Sequence, residues 1–318
     1  MRKIVGTWAA LLALFMVSFA LVVVSLNATL FSAGGLARSY LEALARHDVP
    51  GALELAGVSP TERDVLLDRD ALGRLTDIRQ HSDEQLPDGT HRVEFEYRTD
   101  AGPGRTAFLM EPAGTRFGVF GAWRFAEPPL AQVELTVLHD SRFDVNGLQV
   151  VGAANEPRTY RVFAPGSYEF GHDTTYLEAP PVKLAVTEPG TVREARIDVA
   201  ANEHFVEEVQ RELDRYLDGC AKQRVLLPTG CPFGKQVANR IESEPVWAMS
   251  EYPPVTLVPA EEPGTWLMPP TDAAARLQVD IRSLFDGTVT HFDEDVPFIV
   301  SYLITFQADG GLYIEAQE

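Results

Sequence analysis

Residues 91–100 read HRVEFEYRTD. Val93, Phe95 and Tyr97 alternate with Arg92, Glu94, Glu96 and Arg98, the period-two pattern of a strand with one face in a core and the other in water. Upstream the period is that of a helix. In GGLARSYLEALARHDVPGALELAGV (34–58), Leu36, Tyr40, Leu41 and Leu44 share one face. His47-Asp48 closes that helix, and Pro50 suits the first turn of the next. SPTERDVLLDRDALGRL (59–75) predicts a third helix, with Ser59 as N-cap, Pro60 at the first helical position and Glu62 completing a capping box. Downstream, RTAFLME (105–111) and TRFGVFGAWRFAEP (115–128) follow turns at Asp88-Gly89, Gly102-Pro103-Gly104 and Pro112-Ala113-Gly114. Helices first and an antiparallel meander after them make an α+β plan.

Further along, the pattern is all β between about 131 and 200. AQVELTVLH alternates Val133, Leu135 and Val137, and Asn146-Gly147 in RFDVNGLQVVGA is a strong hairpin signal. Pro165-Gly166 marks a turn between two further alternating runs. A small antiparallel β-sandwich is expected there. The last segment, 201–318, opens with a strong helix pattern. In ANEHFVEEVQRELDRYLDGC, Phe205, Val209, Leu213, Tyr216 and Leu217 form a stripe, Asn202 caps the start, and Gly219 is placed to end the helix. Strand-like runs follow, giving a C-terminal helix-plus-antiparallel-sheet domain. Pro-rich joints at 126–131 and 187–190 offer boundaries, and limited proteolysis is expected to cut near 128 and 200 first.

The N-terminal run 4–26, IVGTWAALLALFMVSFALVVVSL, carries no charge. As a helix it spans about 35 Å, against roughly 30 Å for a bilayer core. Arg2 and Lys3 precede it and the next charge is Arg38, so the positive-inside rule puts residues 1–3 in the cytosol and the rest outside the cell membrane. Small residues at Ser18 and Ala20 also allow a cleaved signal peptide. Apolar LVVVSL continues past that site, and the apolar run is long for a signal, so the reading taken is an uncleaved signal anchor. Either reading exports the remainder.

The only two cysteines, Cys220 and Cys231, bound the stretch CAKQRVLLPTGC. Two thiols fall short of a structural zinc site, and no His pair stands at metal-ligand spacing to complete one. Ten intervening residues rule out a two-residue redox spacing. In an oxidising compartment a disulfide fits better than two unrelated thiols, with Gly230 and Pro232 bending the chain back onto the helix end.

Acidic residues dominate. Without Arg2 and Lys3, 25 basic residues face 46 acidic ones, a charge of −21. Such a surface keeps the protein soluble and repels nucleic acid and anionic lipid head groups. Only four of the 27 basic residues are Lys, a bias of GC-rich bacterial genomes.

Residues 34–127 resemble the nuclear transport factor 2-like superfamily of cone-shaped α+β domains, through ARSYLEALARHDVPGALELAGV and the terminal strand GAWRFAEP. The resemblance covers under a third of the chain. It implies a curved sheet closed by helices, in enzymes or in non-catalytic exported domains of bacterial envelope proteins. An enzyme of that fold places an Asp or His dyad inside the cone; Asp77, His81 and His91 are candidates by type alone, and surface positions on strand ends are the expectation. DVNG and FAPGSYEF resemble PEGA-type envelope modules, which bind or space. Residues 201–318 read as a second, divergent cone-like domain or as a half-barrel of another type.

No phosphate loop, nucleophile elbow, HExxH or EF-hand loop occurs in the sequence, and no cofactor or catalytic residue is assigned. HFDEDVP (291–297) gathers His291, Asp293, Glu294 and Asp295 and is expected to be a solvated loop rather than a metal site. Trp123, Trp247 and Trp266 are expected in the core rather than at a glycan site. The functional expectation is a single-pass envelope protein, a scaffold, sensor or binding module, held by the membrane through 4–26. Cell-wall polymer or other envelope proteins are further candidate partners, and nucleic acid is not expected. The alternative is an exported enzyme or small-ligand binder with a cone pocket.

Overall fold

A computed structural model describes the backbone of residues 2–307 and 311–317. The fold is mixed α+β and mostly strand. Two compact units emerge. The first holds Met1–Thr136, Arg142–Gly171 and Pro181–Ile197; the second holds Val137–Ser141, His172–Pro180 and Asp198–Glu318. The first unit therefore takes in both the 34–127 segment and most of the 131–200 segment, and the joint near 128 lies inside it.

The first unit begins with helix α1 (Arg2–Ala28). Two short amphipathic helices follow. Ser32 caps α2 (Ala33–Ala45), its Oγ accepting from the Gly35 N–H at 2.9 Å. Asp48 caps α3 (Val49–Ala56), which carries Pro50 in its first turn and ends on Gly57 at φ 68°, in the left-handed region that glycine enters without steric cost.

The helix expected over 59–75 does not form; that stretch is turns and irregular chain. Asp64 explains part of the difference. Its carboxylate accepts from the backbone N–H of Thr61 at 2.6 Å and the Thr61 hydroxyl at 2.7 Å, holding a tight turn. The same carboxylate accepts from Arg161 Nε at 2.6 Å and from Arg161 Nη2. A paired charge with a 5 % exposed side chain is worth more than the propensity of one short helix.

The meander forms as expected. Strands β1 (Leu75–Gln85), β2 (His91–Thr99), β3 (Gly102–Arg116) and β4 (Phe120–Phe125) pair antiparallel in sequence order. Val93, Phe95 and Tyr97 of β2 are buried with Phe108 and Met110 of β3 against Tyr40, Leu41 and Leu44 of α2. Tyr40 meets Phe108 and Phe125 edge to face. Its hydroxyl, fully buried, donates to the Pro129 carbonyl at 2.8 Å, with the Ala164 carbonyl at 3.1 Å. One side chain of α2 thus reaches across the joint near 128.

Two further sheets follow, with most of their residues in the first unit; residues 137–138, 172–173, 177–180 and Asp198 belong to the second. Their strands are β5 (Leu130–Leu138), β6 (Arg142–Val145), β7 (Leu148–Val151), β8 (Pro157–Phe163), β9 (Gly166–Asp173), β10 (Leu177–Val186) and β11 (Val192–Asp198). One sheet runs β11-β5-β8 and the other β10-β9-β6-β7. Asn146 and Gly147, at φ 49° and 97°, make the two-residue β6–β7 turn. The turn at Pro165-Gly166 does not close a hairpin: β8 pairs with β5 and β9 with β6, so this turn carries the chain from one sheet to the other. Phe143 of β6 packs on Tyr160 of β8 across the two.

In the second unit, β12 (Ala200–Ala201) pairs with the start of β10 and leads into α4 (Glu203–Ala221). Asn202 caps α4, accepting from the Phe205 N–H at 3.0 Å. Phe205, Val209, Leu213, Leu217 and Cys220 form the buried stripe. Two details depart from expectation. Gly219 does not end the helix, which runs to Ala221 with Lys222 as a right-handed C-cap, because the stripe continues to Cys220. Tyr216 lies on the rim, 41 % exposed, with its hydroxyl bonded to the Gly230 carbonyl. The helix is followed by β13 (Arg240–Ile241), β14 (Val246–Glu251), β15 (Val258–Pro259), β16 (Thr265–Arg282), β17 (Val289–Phe306) and β18 (Leu312–Ala316). Strands β16 and β17, 18 residues each, form a long hairpin. Along its other edge β16 pairs in turn with β15, β14 and β13. A register shift between Met268 and Thr271 bends the pair.

Candidate functional site

Two features carry the functional reading: the apolar helix and the stapled end of α4. Within α1 the window Leu11–Ala28 has a mean hydropathy of 2.4, and none of it is buried in the protein. Eighteen helical residues rise about 27 Å, close to a hydrocarbon core. An unburied surface of this kind fits a single-pass anchor. The side chains of Arg2 and Lys3, on which the orientation depends, lie outside the described residues, as does Met1. Asn27, in the last turn, was not singled out by sequence. Its Nδ2 donates to the Val119 carbonyl at 2.9 Å and its Oδ1 accepts from the Gly121 N–H at 2.7 Å, so one amide holds the backbone on both sides of Phe120 at the start of β4.

Cys220 and Cys231 are disulfide-bonded, with Cα atoms 5.7 Å apart. The enclosed loop is also held by polar contacts. Gln223 accepts from the Thr229 N–H at 2.9 Å and donates to its carbonyl at 3.1 Å. Trp247 Nε1 donates to the Val225 carbonyl at 2.8 Å. Gly230 sits at φ 69°, which makes the reversal into Cys231. Cys220 is 3 % exposed, the last residue of the buried stripe of α4. A disulfide in this position fits an oxidising, extracytoplasmic compartment.

The three titratable candidates do not come together; each has a different partner, and one of these pairs, His91 with Asp83, is an Asp–His contact. Asp77 pairs with Arg98 at 3.5 Å, His81 with Glu96 at 3.4 Å, and His91 Nδ1 with Asp83 at 2.6 Å. Asp77, Glu96 and Arg98, with Arg79 and Arg105, rim an open charged depression on the sheet. The opposite face, where a cone would hold its ligand, is filled by Phe95, Phe108, Met110 and Tyr40.

His291, Asp293, Glu294 and Asp295 stand in strand β17 and not in a loop. Strand β16 gives two of them cross-strand partners: Asp293 accepts from Arg276 Nε (2.7 Å) and Nη2 (3.0 Å) on the diagonal, and His291 meets Asp280, directly opposite, at 2.8 Å. The Arg276 hydrogen bonds hold the Asp293 carboxyl below its usual range. No group of three or more metal-binding side chains occurs among the described residues. Trp247 and Trp266 are core residues. Trp123 is half-buried, its indole N–H donating to the Phe31 carbonyl at 3.0 Å.

Two further features escaped the sequence. Asp140 and His172 are both buried, with Nε2 and Oδ2 3.9 Å apart; nothing in their spacing of 32 residues flags the pair. A groove of about 360 Å³ opens between α4 and the sheet, lined by Val209, Leu213, Tyr216, Tyr302 and Ile314. Burial, with Tyr216 adding a smaller push, raises the Tyr302 phenol to about 12. Compared with known protein families, characterised proteins and solved structures, the chain matches none.

Proposed function

We propose that this protein is a single-pass, membrane-anchored component of the bacterial cell envelope, with its N-terminus in the cytosol and everything after α1 outside, and that it scaffolds or binds rather than catalyses. The observation that carries the reading is the pairing of an unburied apolar helix with an oxidised cysteine pair in one chain. The membrane is the first partner; wall polymer or other envelope proteins are the next, met by the surface of net negative charge. Its 34–127 segment is a nuclear transport factor 2-like domain used as a module, a reading supported by the α2–α3 pair followed by the four-strand meander. A filled inner face and titratable groups paired off singly favour binding or spacing over an active site.

A second reading, an exported binder of a small apolar ligand, draws on the Tyr-rimmed groove beside α4. Topology is tested by adding protease to intact protoplasts that carry the full chain with a cytosolic N-terminal tag. Digestion of both units with the tag and α1 retained is the expected result. Survival of the units until the membrane is permeabilised would refute the proposed orientation.

A further inference from the structure

We infer that the tip of the β3–β4 hairpin, Arg116–Phe120, is a second membrane contact, seated in the lipid leaflet at the C-terminal end of α1. The inference rests on the reading of α1 as a membrane span. Its own observations are geometric. Asn27, one residue from the end of α1, holds Val119 and Gly121, the two neighbours of Phe120 where the tip turns into β4. Phe31 stacks on Phe120 at 4.3 Å, and Trp123 bonds the Phe31 carbonyl. The tip is therefore tied to the last turn of the helix. If Leu11–Ala28 fills the hydrocarbon, that turn lies at one of its edges, and the tip lies with it.

What the tip exposes suits that depth. Phe117 is 86 % exposed and Val119 46 %, and Leu30, on the turn leaving α1, is 66 % exposed. Phe117 also sits at φ 55°, where a bulky side chain is disfavoured and Gly or Asn is the ordinary choice. A bulky apolar residue at this position is thus unfavourable in water twice over, through its backbone and through its ring. Lipid removes the second penalty. Charge agrees as well. Between Pro112 and Ala122 the chain carries one basic residue, Arg116, and no acidic one, within a protein of net charge −19. Arg116 is placed to meet lipid phosphate, and the half-buried Trp123 has the amphipathic ring found at membrane interfaces. The occupant is phospholipid, held at headgroup and upper acyl-chain level.

The test uses the full chain in nanodiscs of phosphatidylethanolamine and phosphatidylglycerol. Photoreactive benzoylphenylalanine replaces, in separate proteins, Phe15 within α1, Phe117, or Val151, an exposed apolar residue of β7. An unchanged melting temperature certifies folding. The expected result is lipid adducts at the Phe15 and Phe117 positions, several-fold above those at Val151. Adducts at Phe15 with no excess at Phe117 overturn the inference and leave the anchor standing. Absence of adducts at Phe15 overturns the anchor and the inference with it. A crosslinked dimer in place of a lipid adduct at Phe117 assigns the tip to a second copy of the chain and also overturns the inference. Should the photoreactive protein misfold, the Phe117→Trp variant in lipid brominated near the carbonyl end decides between the same outcomes: quenching beyond that of the unsubstituted protein supports the contact, and equal quenching refutes it.

Discussion

Removing the Cys220–Cys231 bridge perturbs the second unit in a way whose size follows from the structure. The cysteines are 11 residues apart, and closing a loop of that length lowers the entropy of the unfolded chain by about 3 kcal/mol equivalent at room temperature. The native loop keeps other restraints, the Gln223–Thr229 pair and the Trp247–Val225 bond, so loss of the bridge acts on the unfolded ensemble more than on the native loop. Side-chain choice matters. Cys220 is buried, and serine there would bring an unpartnered hydroxyl into the core at a further cost of about 1–3 kcal/mol. Cys220→Ala with Cys231→Ser, at the partly exposed position, isolates the cross-link better. Denaturation of the full chain in detergent, followed by the fluorescence of Trp247 and Trp266, should then show a loss of about 3 kcal/mol. The melting point should fall by roughly 6–15 °C. Wild-type protein reduced with a thiol should behave like the double variant. A loss below about 1 kcal/mol, or two thiols labelled in unreduced denatured protein from cells, would refute the staple and the oxidising compartment inferred from it.

The Asp64–Arg161 pair predicts a pH dependence in the first unit. The Arg161 hydrogen bonds hold the Asp64 carboxyl well below its usual range, so its stabilisation is present above the unfolded value of about 4 and is lost as pH falls below it. Arg161→Ala should destabilise at neutral pH and flatten the acid limb between about pH 4 and 2; an unchanged limb in urea titrations argues against the pair. Tyr40→Phe leaves the Pro129 and Ala164 carbonyls without their buried donor and should cost about 1–2 kcal/mol without altering the expressed fold. A neutral effect on thermal unfolding would mean that this hydroxyl does not hold α2 across the joint near 128.

Residue order alone was enough for whatever depends on neighbours a few positions apart. The period-two run of β2, the stripe and Asn202 cap of α4, the helix pair within 34–58, the Asn146-Gly147 hairpin and the apolar run of α1 are all local patterns. Each is set by side-chain spacing or backbone freedom, which act before any distant contact forms. The disulfide was legible for a related reason, since two cysteines in a loop this short have only each other.

Long-range contacts set the rest. The stretch 59–75 has good helix signals, yet Asp64 is claimed by an arginine 97 residues later and the chain stays in turns. His291 to Asp295 resembles a solvated acidic loop, but β16 supplies Asp280 directly opposite His291 and Arg276 diagonally across from Asp293, and those partners let the charges stand in a strand. Gly219 is helical because a buried Cys220 follows it. Tyr216 leaves the stripe because its hydroxyl has a carbonyl at Gly230 to reach, in the loop that the bridge closes. In each case a partner distant in sequence, or one brought close by the disulfide, supplied a hydrogen bond or a buried contact stronger than the local preference. That strength depends on burial and geometry, which spacing along a chain does not encode.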